Sequence, residues 1–178
     1  MHVAPKYARA LLAVAAALCL APAQAAIFTF TGNTAGAPTF NRALEDFSAL
    51  SGVGVANPYR VTEIAVSITG DYTFLTTADG YDPFTFLYSS FDPANATANG
   101  LEGNDDLLGF TTSGFTATLT AGVSYFFVST GFAPEDFGAY STTVGGPGLA
   151  AVVPEPETYA LMLAGVAGLA AWARRRRA

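Results

Sequence analysis

Between residues 26 and 144 the apolar side chains return at every second position, in one short run after another. A helix brings its side chains round about every 3.6 residues, whereas a strand turns alternate residues to opposite faces, so this rhythm commits the chain to strands. "IFTFT" places Phe28 and Phe30 on one face with Thr29 and Thr31 on the other. "VTEIAVSI" aligns Ile64, Val66 and Ile68, and "DYTFLTT" aligns Tyr72, Phe74 and Thr76. "FTFLYSS", "FTATL" and "AYSTTV" align Phe84 with Phe86 and Tyr88, Phe115 with Ala117 and Leu119, and Tyr140 with Thr142 and Val144. "VSYFFVST" is apolar on both faces, as an interior strand would be. Gly, Asp, Asn and Pro punctuate these runs, and Gly70-Asp71 predicts a tight hairpin between two of them. Only "NRALEDFSAL" has near-helical spacing, through Ala43, Leu44, Phe47 and Leu50, and it predicts one short helix. The expected fold class is all-β: an antiparallel β-sandwich of jelly-roll-like form spanning residues 26–144. "GGPGLAAVV" at residues 145–153 reads as a linker.

Charge narrows what such a domain can meet. Residues 26–153 carry twelve carboxylates against Arg42 and Arg60, a net charge of −10. That balance repels nucleic acid and anionic membrane surfaces and favours divalent cations and neutral or basic partners. His2, Lys6 and Cys19 all fall in the first 25 residues, so the domain has no histidine, lysine or cysteine. Ser-His-Asp and Cys-His catalysis and zinc or copper sites of ordinary ligand type are thereby excluded. Paired carboxylates of the glycosidase kind remain, but twelve acids supply such pairs without any design, and no enzyme activity is expected. "SGVGVAN" lacks the third glycine of a phosphate loop and reads as a turn.

The densest polar stretch is "ADGYDPFTFLYSSFDPANATANGLEGNDD". Asp79, Asp82, Asp92, Asn104, Asp105 and Asp106 offer hard oxygen ligands in its loops, the donor type that calcium takes in sets of about six to eight. Their spacing follows neither the EF-hand nor the nonapeptide pattern, and Asp and Asn also build turns through their own backbone. Calcium is the one cofactor expected.

The two ends of the chain speak of transport. The first 25 residues carry Lys6 and Arg9, an apolar run from Ala10 to Leu20, and the small-residue pattern Ala23-Gln24-Ala25, together a secretory signal peptide cleaved after Ala25. Leu18 stands where a lipoprotein would have a small residue before its cysteine, so Cys19 is incidental. At the other end Tyr159–Ala173 forms 15 uncharged residues. As a helix these reach about 22 Å, short of the bilayer's hydrocarbon core of about 30 Å, and length alone fits a terminal core helix as well. The flanks favour the membrane. Pro154 and Pro156 force the helix to begin after them, and Arg174, Arg175, Arg176 and Arg177 anchor its far end on the cytoplasmic side.

Pro154-Glu155-Pro156, an apolar helix and the arginine cluster, in that order, resemble the PEP-CTERM sorting signal of Gram-negative bacteria. The resemblance covers residues 154–178 and implies a partner, the membrane enzyme exosortase, which recognises the signal and removes the helix. It implies transient anchoring in the inner membrane, then delivery to the cell surface or extracellular matrix, often in species that make exopolysaccharide. A structural or adhesive role in a biofilm follows as an expectation, with a calcium-assisted carbohydrate-binding module as the alternative. Within residues 60–145, Leu87-Tyr88, Asn104-Asp105-Asp106, Leu119 to Tyr125 and Gly138 to Tyr140 resemble the bacterial pre-peptidase C-terminal type of β-sandwich. That resemblance implies an accessory, non-catalytic module.

Overall fold

The computed structural model describes residues 25–153. The expected signal-peptide helix and the expected membrane helix at 159–173 lie outside the described residues. Eleven strands occur and, among the described residues, no helix: β1 Ala26–Asn33, β2 Thr39–Phe40, β3 Asn57–Pro58, β4 Arg60–Val66, β5 Gly70–Ala78, β6 Pro83–Tyr88, β7 Gly100–Asn104, β8 Thr112–Leu119, β9 Ser124–Gly131, β10 Ala139–Gly146 and β11 Ala150–Val152.

Strands β1-β10-β5-β8 form one antiparallel sheet, and β11-β4-β9-β6-β7 form the second. β2 and β3 make a separate two-stranded ribbon. From β4 onward each connection crosses between the sheets, except the β6–β7 step, which stays within one. This is the jelly-roll order, closing a double-layered sandwich. The interior strand expected from "VSYFFVST" is β9, at the centre of the five-stranded sheet.

The alternation finds its purpose between the sheets. Tyr72, Phe74, Ala117, Leu119 and Val144 from one layer meet Ile64, Val66, Leu87, Tyr125 and Phe127 from the other. The Phe74 and Phe127 rings stack at 5.4 Å, and Phe30 meets Phe127 edge-on at 5.6 Å. Hydroxyls that also face inward satisfy one another: Thr76 with Thr142 at 2.8 Å, and Thr85 with Ser113 at 2.6 Å. Paired in this way they avoid the penalty of an unmade buried hydrogen bond.

A second core lies on the outer face of the five-stranded sheet. β6 is buried at all six positions, because Phe84, Phe86 and Tyr88 are covered where a sandwich face would ordinarily meet water. The cover is the segment from Thr34 to Tyr59 with the loop after β6, contributing Phe40, Ala43, Phe47, Tyr59, Phe91 and Ala96.

Three local expectations differ from the structure. Gly70-Asp71 makes no hairpin, since β4 and β5 belong to different sheets: Ile64 and Val66 face Tyr72 and Phe74 across the core instead of pairing beside them. "NRALEDFSAL" is a looped-back turn. Ala43 bridges to Leu50, Asp46 Oδ1 accepts from the Ser48 amide at 3.0 Å, and Phe47 adopts a left-handed φ of 59° that points its ring at Phe86 and Tyr88. The ring's burial in the second core outweighs the weak helical propensity of so short a segment. Residues 145–153 belong to the sandwich: β10 runs through Gly146, and β11 pairs with β4. Gly146 there leaves room for the Tyr72 ring, a packing role that a sequence reads as looseness.

Candidate functional site

At the end of the sandwich where β6 begins, one of the domain's two arginines is drawn inward. Arg42 is 2% exposed, and its guanidinium lies 4.1 Å from the Phe84 ring centre and 5.1 Å from that of Phe132. Nε and Nη2 donate to the Phe132 carbonyl at 3.1 and 2.9 Å, and Nη1 donates to the Ala43 carbonyl at 3.1 Å. Burial pulls its pKa below the usual range, and the carboxylates of Asp105, Glu45 and Asp82 pull it back. A cavity of about 600 Å³ opens over this group, bounded by Glu45, Asp46, Ser51, Asp105 and Phe132 among others.

The acids around it are under strain. Burial, reinforced by Asp106 and Asp136, pushes Asp82 up to about 6 against the opposing pull of Arg42. Burial, with Asp82 and Asp106 adding to it, pushes Asp105 up to about 6 as well. Oδ1 of each is enclosed and has no hydrogen-bond partner among the described residues. Asp105 is held from the roof, its amide donating to Glu45 Oε1 at 3.0 Å.

The six residues expected to form a calcium site are divided by the fold. Asp82, Asp105 and Asp106 face one another electrostatically. Asn104 is committed elsewhere: its Oδ1 accepts from the Gly114 amide at 3.2 Å. Asp92 sits beyond the far end of β6, where Oδ1 shapes a turn by accepting from the Ala94 amide at 2.9 Å. Asp79 leaves β5 beside Thr31, Thr77 and Ser141, lining a different cavity of about 540 Å³. Among the described residues no three carboxylates converge closely enough to share a metal ion. The donor chemistry suits calcium, while the geometry and the neighbouring guanidinium do not make a ready cage.

Sequence reasoning missed Arg42, Glu45 and Asp136 at this site. A signal existed for the first, since a cation that is one of two in so acidic a domain has a reason to be there. Asp136 gave none, as the fold alone brings it to Asp82, whose amide donates to its Oδ1 at 3.5 Å, while its Oδ2 accepts from the Ala133 amide at 3.0 Å.

The outer face of the four-stranded sheet has the opposite character. Register sets Thr31, Ser141, Thr77 and Thr112 side by side in one row across β1, β10, β5 and β8. The next rows are Thr29, Thr143, Leu75 and Gly114, then Ile27, Gly145, Thr73 and Thr116. Eight of these twelve positions are hydroxyl side chains, and none is charged. Thr29 bonds to Thr143 at 3.0 Å and Thr73 to Thr116 at 2.8 Å.

Beyond the described residues the chain continues into the segment that resembles an address. Residues 152–177 match the PEP-CTERM protein-sorting motif. This chain carries a PEP-CTERM sorting signal. The motif marks an exported protein that passes through a membrane-anchored stage before exosortase acts on it. The domain that the motif delivers is similar to several solved structures. One is the pre-peptidase C-terminal domain of a collagenase from Bacillus anthracis, at 13% identity over 66% of this chain and 87% of that one, with a TM-score of 0.42. Another is PliG from Aeromonas hydrophila, a periplasmic inhibitor of g-type lysozyme, at 11% identity over 69% and 86%, with a TM-score of 0.36. A third is the K1 cleaved adhesin domain of Lys-gingipain from Porphyromonas gingivalis, at 17% identity over 74% and 99%, with a TM-score of 0.35. Among curated proteins, no sequence matches significantly.

Proposed function

We propose that the PEP-CTERM sandwich is a non-catalytic structural or adhesive component of an extracellular, exopolysaccharide-containing matrix. The observation that carries this reading is the union of a sorting motif with a hydroxyl-rich sheet face, free of charge across its three central rows, in a domain of net charge −10. A surface of threonine hydroxyls both donates and accepts, and a neutral polysaccharide offers the same chemistry in return without stripping water from any charge. Affinity electrophoresis tests the adhesive half. The mature protein should be retarded in gels containing a neutral exopolysaccharide, and Thr143→Glu, which sets a carboxylate in the middle of the face, should restore its free mobility. Equal migration with and without polysaccharide would count against adhesion. Localisation tests the other half: a tagged protein should reach the matrix fraction only in cells that possess exosortase.

A second reading, calcium-assisted binding, is favoured by the enclosed, partnerless oxygens of Asp82 and Asp105. A cation beside these two carboxylates would relieve their mutual repulsion. The melting temperature should then rise in millimolar calcium relative to chelator, and identical melting curves dispose of this reading.

A further inference from the structure

We propose that β11 must detach from the edge of the five-stranded sheet before exosortase can process the chain, so that the folded sandwich controls its own maturation. The inference rests on the sorting assignment and concerns the segment immediately before the motif. No spacer separates cargo from label: the match to the motif begins at Val152, the last residue of β11. Ala150, Ala151 and Val152 pair with Val66, Ala65 and Ile64 of β4. The Ser67 amide donates to the Leu149 carbonyl at 3.0 Å, and the Val153 amide donates to the Glu63 carbonyl at 2.9 Å. The main chain is therefore fixed up to the residue before Pro154.

Pro154, the first residue of the Pro-Glu-Pro signal, follows Val153 directly in the sequence. An enzyme that takes hold of an extended peptide does so through main-chain groups on both sides of its target. On the amino-terminal side of the signal those groups already belong to β4. The strand is built to let go: it is three residues long and lies at the sheet edge, with Ala151 and Val152 exposed. Ala150 alone is buried in the core, at 6% exposure. Short edge elements with so little buried surface open locally far more often than the domain unfolds. Once cut, the strand can return and cover the outer edge of β4 again, which would otherwise stand open.

Pulse–chase of the full chain in exosortase-bearing cells tests this. A flexible Gly/Ser insert of about ten residues between Val153 and Pro154 leaves β11 and the chain from the Pro-Glu-Pro signal onward intact and should shorten the precursor half-life about ten-fold, the worth of one or two net main-chain hydrogen bonds. Ala65→Cys with Ala151→Cys should do the reverse. The two positions form a hydrogen-bonded pair, with Cα atoms about 5.5 Å apart, within reach of a disulfide. Processing of the crosslinked chain should fall about ten-fold and recover on reduction, and the insert should rescue it without reductant. Unchanged half-lives in both the insert and the crosslinked variant overturn strand release. In cells lacking exosortase every precursor should persist. Trimming at the same rate there overturns the sorting assignment itself, a separate failure.

Discussion

The outer faces of the two sheets begin from the same alternation and part company at the residues that point away from the core. On the five-stranded sheet those residues are Phe84, Phe86, Tyr88 and Val128, and the chain folds a roof of its own over them. On the four-stranded sheet they are mostly threonines, with a serine, Ile27, Leu75 and Asp71 among them, and the face is left largely open to water. Strand rhythm thus groups residues by face, yet the rhythmic set Phe84, Phe86 and Tyr88 looks outward while Leu87 faces the core between the sheets. The chemistry of the alternate set decides whether a sheet acquires a second core or becomes a surface. An arginine makes the same distinction visible: Arg42 is locked beneath the roof, while Arg60 reaches over the bare sheet's end to donate from Nε to the Asn33 carbonyl at 3.0 Å.

Substitution should expose that asymmetry. Phe86→Ala removes a fully buried ring that contacts Phe47, Phe84 and Tyr88, and urea denaturation should show a loss of about 3–5 kcal/mol. Arg42→Met keeps the apolar stem but abandons three carbonyl contacts and the ring stacking, and should cost about 2–3 kcal/mol in the same measurement. Acid should act in the unusual direction. Asp82 and Asp105 are raised from 3.8 to about 6, so the native state holds their protons more tightly than the unfolded chain does. The stability from protonation is fully present below about pH 4 and lost as pH rises through about 6, because the unfolded state binds fewer protons across that window. The melting temperature should therefore fall between pH 4 and pH 7, and Asp105→Asn should flatten the curve and raise its neutral-pH end. On the bare face Thr143→Ala should change stability by no more than about 0.5 kcal/mol. A loss there comparable to that of Phe86→Ala would erase the contrast between the faces.

Much of the architecture was legible because alternation is a local signal. Phe28 with Phe30 and Tyr72 with Phe74 face the core that their spacing implied, and "VSYFFVST", apolar on both faces, is an interior strand. Connections were harder, for Gly70-Asp71 looks the same whether the chain turns back within a sheet or crosses to the other. Segments bound by distant partners were hardest. Nothing near Phe47 announces that its ring will be buried against Phe86, and nothing in "GLAAVV" announces β4 as a neighbour. The candidate calcium set failed to gather for a related reason. Asp79 and Asp82 are three residues apart in sequence, yet the step from β5 to β6 carries the chain from one sheet to the other between them. What could have been read was Arg42, whose isolation among carboxylates is plain in the sequence.

The pairing of β1 with β10 has a bearing on the journey out of the cell. Ala26 lies opposite Gly146, so the first strand finds its partner only when almost the whole domain is available. Contacts this remote along the chain form slowly, and a polypeptide threading lengthwise through a narrow conduit cannot make them until its tail has nearly cleared the exit. A chain exported lengthwise would therefore close its sandwich last, once β10 had emerged to meet β1.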